Sequence, residues 1–171
     1  SKHIGRGVTG IELTRDEGQL IVTGHDYFMI VNLTAEGGYD FMTEVDLVQC
    51  GDADAGMRFR KVVKLQGKYY AIGRNQRGAD GTFSSVVFML TQNAHSHGLT
   101  CQRIAGQNDV NRGWVDGFGD QVRFSRPHDM TTLPTSEVLV LTDMDNPACR
   151  LVNVGETDGF GEVITVVYDD R

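Results

Sequence analysis

Short runs in which apolar and polar residues alternate follow one another along the chain, and this pattern predicts strands rather than helices. The first four runs are VTGIELT, QLIVTG, YFMIVNL and YDFMTEVDLV, with turns at RDEG, HD and AEGG between them. The chain has 21 glycines but only three prolines, and the glycines fall mostly between the runs. Such punctuation is typical of strands joined by tight turns, so we expect a four-stranded antiparallel meander.

The same pattern restarts twice. The second round, after QCGDADAGM, has the runs RFRKVVKL, YYAIGR, FSSVVFMLT and LTCQRIA. The third round, after GQNDVNRGWVDGFGDQ, has the runs VRFSRPHDMTTL, VLVLTD, CRLVNV and EVITVVYDD. MRFRKVVKL in the second round aligns with VRFSRPHDM in the third, so the chain carries a weak internal repeat.

A repeat of about 50–65 residues is typical of propellers and solenoids, and a four-stranded antiparallel unit is a propeller blade. We therefore predict an all-β fold with three four-stranded antiparallel blades, at about residues 7–49, 57–106 and 122–171 of a single domain. A β-sandwich is the alternative, but it would give longer crossovers between sheets and no recurrence.

Residues 106–154 carry a more specific pattern, which resembles an NHL repeat of the β-propeller family. This pattern has a glycine-rich connector, a Phe-x-x-Pro at the start of the inner strand and an Asp, Asn and Arg set around the next turn. The matching positions here are Gly113, Asp116, Gly117, Gly119, Phe124, Pro127, Asp143, Asn146 and Arg150. Round two keeps only Phe59, and neither of the first two rounds has the Asp, Asn and Arg set.

The connector residues have chemistry that suits a sharp turn between blades. Glycine at 113, 117 and 119 allows positive φ, and the carboxylates of Asp116 and Asp120 can accept hydrogen bonds from backbone N–H groups. We expect the apolar side chains of Trp114 and Phe118 to pin the connector against the neighbouring blades.

Asp143 and Arg150 flank the turn between the second and third strands of the last round. We predict that they form a charge-assisted hydrogen bond that closes this turn inside its blade.

NHL repeats resemble the blades of six-bladed propellers, and three blades are too few to close such a ring. The open arc would leave apolar surface in water, which proteins rarely tolerate. We expect completion by a protein partner, by a second copy or by the remainder of a longer parent chain.

Composition narrows the class of partner. A net charge of −7 disfavours nucleic acid, and no apolar run approaches the length that spans a bilayer. The cysteines, Cys50, Cys101 and Cys149, have no zinc-site spacing, which indicates three separate thiols; a secreted protein with one bridge and one spare thiol is the alternative. Asn32 opens a glycosylation sequon, and the localisation stays open with a slight preference for the secretory pathway.

Few residues suggest a ligand site. Asp52, Asp54, Asp109 and Asn111 are calcium-loop candidates, as is the Asp143-x-Asp145-Asn146 run, but solvated turns explain them more simply and no cofactor is predicted. Of His25, His95, His97 and His128, only His128 is placed to face a propeller axis. Arg74 and Arg77 could form a basic binding loop in an acidic protein, or a solvated hairpin tip.

Three functions remain open at this point. A non-enzymatic protein-binding or scaffold module is favoured, because no catalytic set emerges. The alternatives are a metal-dependent propeller enzyme, of the lyase or hydrolase type, with its site on the axis, and a structural subunit of an extracellular or organellar complex.

Overall fold

The computed structural model describes residues 7–14, 18–25, 27–46, 57–76, 83–92, 99–108, 113–133, 135–145, 148–156 and 159–167. These residues form three antiparallel sheets, which confirms the all-β part of the predicted fold class, while the assignment of the sheets to propeller blades stays a prediction. The described part of the chain contains no helix that could span a bilayer.

The first two sheets are four-stranded meanders in which every strand pairs with its neighbour in sequence. The first sheet comprises β1 (Val8–Thr14), β2 (Gln19–Gly24), β3 (Tyr27–Leu33) and β4 (Tyr39–Asp46). The second comprises β5 (Arg58–Leu65), β6 (Lys68–Gln76), β7 (Phe83–Gln92) and β8 (Leu99–Gln107). These strands lie where the alternating runs predicted them.

The third sheet differs from the prediction, because it has five strands rather than four. Its strands are β9 (Gly117–Phe118), β10 (Pro127–Thr132), β11 (Val138–Asp143), β12 (Ala148–Asn153) and β13 (Glu162–Val167), in the order β10-β11-β12-β13-β9. The fifth strand, β9, comes from the glycine-rich connector and pairs antiparallel with β13. The strand predicted to start at Val122 starts at Pro127, because Ser125 and Arg126 donate their backbone N–H groups to the carboxylate of Asp143 instead of to a strand.

The three sheets are stacked, with the second sheet in the middle. Its one face packs on the first sheet in a core of Ile21, Phe28, Phe59, Val62, Ala71, Val86, Phe88 and Leu90. Its other face packs on the third sheet in a core that includes Tyr70, Ile72, Val87, Ile104, Met130, Leu139, Leu141, Val152 and Val163. Stacking leaves one face of the first sheet and one face of the third without a neighbouring sheet among the described residues.

Candidate functional site

The connector that carries the NHL-like pattern lies between the second and third sheets. Gly119 donates its N–H to Gly161 beside β13 and accepts a hydrogen bond from Gly106 of β8 through its carbonyl. The connector therefore joins the last strands of both sheets. Gly117 and Gly119 have φ of 135° and 54°, as predicted. Gly113 does not have positive φ, and a Cβ there would lie 2.9 Å from the Cβ of Arg123, so close approach explains that glycine.

The prediction that Trp114 and Phe118 pack the connector against the neighbouring sheets is wrong. Trp114 is 44% exposed and Phe118 is 47% exposed, so neither side chain is buried between sheets. The indole N–H of Trp114 donates to the Thr165 hydroxyl at 2.7 Å. The side chains that pack in this region are those of Phe124 and Arg150, which are both buried.

Arg150 is fully buried and holds the connector through its guanidinium group. The group donates to the carbonyls of Arg123 and Val115, each at 3.0 Å, and to Asp116 Oδ1 at 2.9 Å. It also lies over the ring of Phe124, 5.1 Å from the centroid. Burial lowers the pKa of Arg150, and the nearby carboxylates oppose this shift.

The direct hydrogen bond predicted between Asp143 and Arg150 is not formed. Their nearest N and O atoms are 3.7 Å apart, an ion pair without hydrogen-bond contact. Both groups have other partners, since Asp143 accepts from the backbone of Ser125 and Arg126. The pair thus secures the approach to β10 and the connector rather than closing its own turn.

The two connector aspartates act differently. Asp116 accepts from the Thr165 N–H and hydroxyl, at 2.9 and 2.6 Å, as well as from Arg150. Partial burial acts to raise the pKa of Asp116, but these hydrogen bonds and the Arg150 charge outweigh it and lower the pKa. Asp120 contributes its backbone carbonyl, not its carboxylate, to the Arg123 guanidinium.

The strands β1, β5 and β10, which are called the first strands of their sheets, meet around Lys61. The sequence did not single out this residue. Lys61 is buried on β5, and its Nζ lies 2.5 Å from the Ile11 carbonyl and 2.8 Å from Glu12 Oε2, both on β1. Asp129 Oδ1 on β10 lies 3.5 Å from the same nitrogen. One ammonium group therefore ties all three first strands together. Its only sequence signal is a lysine inside an apolar run.

Each of these first strands also carries a one-residue β-bulge near its start. The extra residues are Thr9 in β1, Arg60 in β5 and His128 in β10. The repeat thus extends to a local irregularity that alternation of residue types does not reveal. Bulges re-aim side chains and are frequent beside functional sites.

The remaining candidate residues are dispersed. Asn32 lies half-buried in β3, where its amide oxygen accepts from Gln19 at 2.8 Å. Arg74 belongs to β6, because this strand runs on to Gln76, so the predicted basic loop does not contain it. His25 lies between β2 and β3, and His128 is exposed on β10. The predicted residues outside the described ones are Asp52, Asp54, Arg77, His95, His97, Asp109, Asn111 and Asn146.

Two further predictions concern cysteine and metal chemistry. Cys101 is disulfide-bonded and Cys149 is a free, exposed thiol, so the interpretation of three separate thiols is wrong. Cys50 lies outside the described residues. Within the described ranges, no group of three or more His, Cys, Asp or Glu side chains could hold a metal ion.

The described residues leave two sheet faces without a neighbouring sheet. Residues paired across neighbouring strands share a face, which defines the free face of the first sheet as Ile11, Leu13, Leu20, Val22, Met29, Val31 and Leu33. The free face of the third sheet likewise presents Val138, Val140, Cys149, Leu151, Ile164 and Val166, together with the polar residues Thr142 and Asn153. Ile11 and Leu13 are each 58% exposed, and Ile164 is 49% exposed. A groove of about 360 Å³ crosses the second of these faces, lined by Glu137, Val138, Leu151, Asn153, Glu162 and Ile164.

Comparison with protein-family models, with curated proteins and with solved structures found no match to this chain. The likeness to NHL repeats therefore stays a prediction that depends on the motif residues in the third sheet and its connector.

Proposed function

We propose that this chain is a non-enzymatic binding or scaffold module whose three sheets are blades of an NHL-like, six-bladed β-propeller. In this proposal a second copy of the chain completes the ring, and the closed ring presents its loops and rim to partner proteins. The observation that carries the proposal is the pair of free faces on the first and third sheets.

The two free faces correspond to the two faces that pack together wherever neighbouring sheets of the chain meet. Within the chain, the face of the second sheet that carries Val63, Tyr70 and Ile72 packs on the third sheet. The corresponding face of the third sheet is its free face. On the other side, the face of the second sheet that carries Val62 and Ala71 packs on the first sheet, and its counterpart there is the free face with Ile11 and Leu13. The third sheet of one copy can thus receive the first sheet of another by repeating the packing inside the chain.

Both faces are apolar enough to need a cover. Exposed Leu and Ile side chains that adjoin one another on a sheet form the kind of patch that proteins use for association. Because the contact joins different faces, it is heterologous, and such contacts close into a ring when the rotations add up to a full turn. Six blades divided among chains of three require two copies.

The native mass of the purified chain, measured by light scattering over a range of concentrations, tests this proposal. We expect twice the chain mass of 18.9 kDa at high concentration. Leu13→Lys and Ile164→Lys each place a charge on a free face and should shift the chain toward the monomer. Gln102→Lys is the control, because Gln102 is exposed on β8 of the middle sheet. A monomer at every concentration would rule out completion by a second copy.

A further inference from the structure

The groove of about 360 Å³ on the free face of the third sheet has an apolar floor and an acidic lining. The floor comprises Val138, Leu151 and Ile164, one residue from each of three neighbouring strands. Glu137 and Glu162 bring carboxylates beside this floor. A volume of this size lies in the lower range of pockets that hold small molecules. The groove therefore suits one apolar group that ends in a polar atom.

The groove has a counterpart on the second sheet, and the strand register identifies it. Beyond their bulges, the first strands pair with the second strands through Gly10–Thr23, Lys61–Ile72 and Asp129–Thr142. Counted from these pairs, Val140 of the third sheet corresponds to Tyr70 of the second. Their partners on the next strand are Leu151, which lines the groove, and Met89. Met89 packs against the core between the second and third sheets, so the chain itself covers the counterpart of the groove.

The turn between β12 and β13 of the third sheet takes part in this cover. Phe160 in this turn packs against the same core as Met89. The next residue, Gly161, lies so close to β8 of the second sheet that a Cβ there would be 2.8 Å from the Ile104 carbonyl oxygen. The turn thus contributes one aromatic side chain to the junction between the two sheets.

Tyr39 is the residue of the first sheet that corresponds to Phe160. Each of the two aromatic residues lies three positions before the strand partner of a valine, and the two valines occupy corresponding positions. The pairs are Val31–Met42 and Val152–Val163. Phe160 is partly buried, whereas Tyr39 is 68% exposed. Because Tyr39 pairs with Leu33, it lies on the free face of the first sheet.

We propose that Tyr39 of a second copy inserts into the groove of the third sheet. This inference rests on the proposed function, in which that face receives the first sheet of another copy. The aromatic ring packs on the apolar floor, and the hydroxyl donates to the carboxylate of Glu137 or Glu162. A tyrosine that is buried usually finds a partner for its hydroxyl, and a hydrogen bond to an ionised acceptor is stronger than a neutral one. Aromatic anchors that fill a pocket contribute much of the binding energy of an interface.

The dissociation constant of the dimer, measured by light scattering over a dilution series, tests this inference. Tyr39→Ala should raise it about a hundredfold, because the closed ring contains the contact twice and the loss of an aromatic anchor weakens each contact about tenfold or more. Met144→Ala is the matched control, since Met144 is exposed in the turn after β11, outside both free faces. This control should leave the constant unchanged, and far-UV circular dichroism checks that both variants fold.

Tyr39→Phe tests the hydroxyl separately from the ring. We expect this change to raise the dissociation constant about tenfold. In a chain that already carries Glu137→Gln and Glu162→Gln, the same change should have a clearly smaller effect, because the ionised acceptor is already lost. Equal effects in the two backgrounds would overturn the hydrogen bond assigned to the hydroxyl.

The same dilution series separates this inference from the proposed function. A wild-type chain that stays monomeric would overturn completion by a second copy, and this inference with it. A wild-type dimer whose dissociation constant is the same in Tyr39→Ala and Met144→Ala would overturn the insertion of Tyr39 alone.

Discussion

Arg150 is the residue on which the connector between the second and third sheets depends. Its guanidinium serves two backbone carbonyls and Asp116, and it lies within ion-pair distance of the buried Asp143. A guanidinium suits this position because it stays charged when buried and donates in several directions. The repeat pattern predicted that Arg150 matters, but its partners lie about 30 residues away along the chain, so spacing alone could not name them.

Removal of this guanidinium should destabilise the protein strongly. In Arg150→Ala the carbonyls of Arg123 and Val115 lose their donors and Asp143 loses the nearest positive charge. We expect the free energy of unfolding, measured by urea denaturation, to fall by about 3–5 kcal/mol. Arg103→Ala, at an exposed site on β8, should change it by about 0.5 kcal/mol. Similar effects of the two changes would contradict the role assigned to Arg150.

Asp116 makes the free energy of unfolding depend on pH in the acid range. Since its pKa is lower in the folded protein, the unfolded chain binds the proton more tightly. The stabilisation is present above the unfolded pKa of about 4 and is lost as the pH falls through the folded pKa.

Asp116→Asn should therefore reduce the slope of unfolding free energy against pH below about pH 4, while it changes the slope above pH 5 little. Urea denaturation at several pH values measures both slopes. Asp120→Asn is the matched control, because the Asp120 carboxylate makes none of these contacts. An unchanged acid slope in Asp116→Asn would contradict the assignment.

At the scale of elements, alternation predicted twelve strands because it is a local property of each run. The thirteenth strand, β9, was missed because two residues, one of them a glycine, are too few to show an alternating pattern. Its partner strand also lies far along the chain, where it starts at Glu162. The bulges at Arg60 and His128 were missed for a related reason. A bulge adds one residue to a strand, but that residue is of a type that also occurs in regular strands, so the sequence does not mark it.

Gly106 is the glycine whose replacement should damage the sheet–connector contact most. It has φ of 90°, and a Cβ there would lie 2.5 Å from the Ser85 carbonyl oxygen. Gly119 also has positive φ, but nothing lies within 4 Å of its Cβ position.

Gly119→Ala should therefore lower the free energy of unfolding by only about 1–2 kcal/mol, the strain of a positive φ at a residue with a Cβ. Gly106→Ala should lower it clearly more, because the clash adds to that strain. Thermal denaturation of the two variants compares them, and equal melting temperatures would contradict the close approach seen at Gly106.

At the scale of the whole molecule, the stacking of three sheets is the observation on which the proposed function depends. Each sheet presents one face to the next, so a stack of three ends in two different faces that have no neighbouring sheet. The repeat in the sequence led to the prediction of a partner, and the strand register shows which residues each free face presents. We propose that the free face of the third sheet receives the free face of the first sheet of another copy.

Cys149 offers a natural probe of this claim, because its thiol is free and lies on the free face of the third sheet. The measurement is the rate at which a thiol reagent labels Cys149, followed by peptide mass spectrometry at increasing protein concentration. We expect labelling to slow at high protein concentration, and we expect Leu13→Lys on the first sheet, but not the control Gln102→Lys, to restore the fast rate. Labelling that is fast at every concentration and unaffected by Leu13→Lys would contradict it.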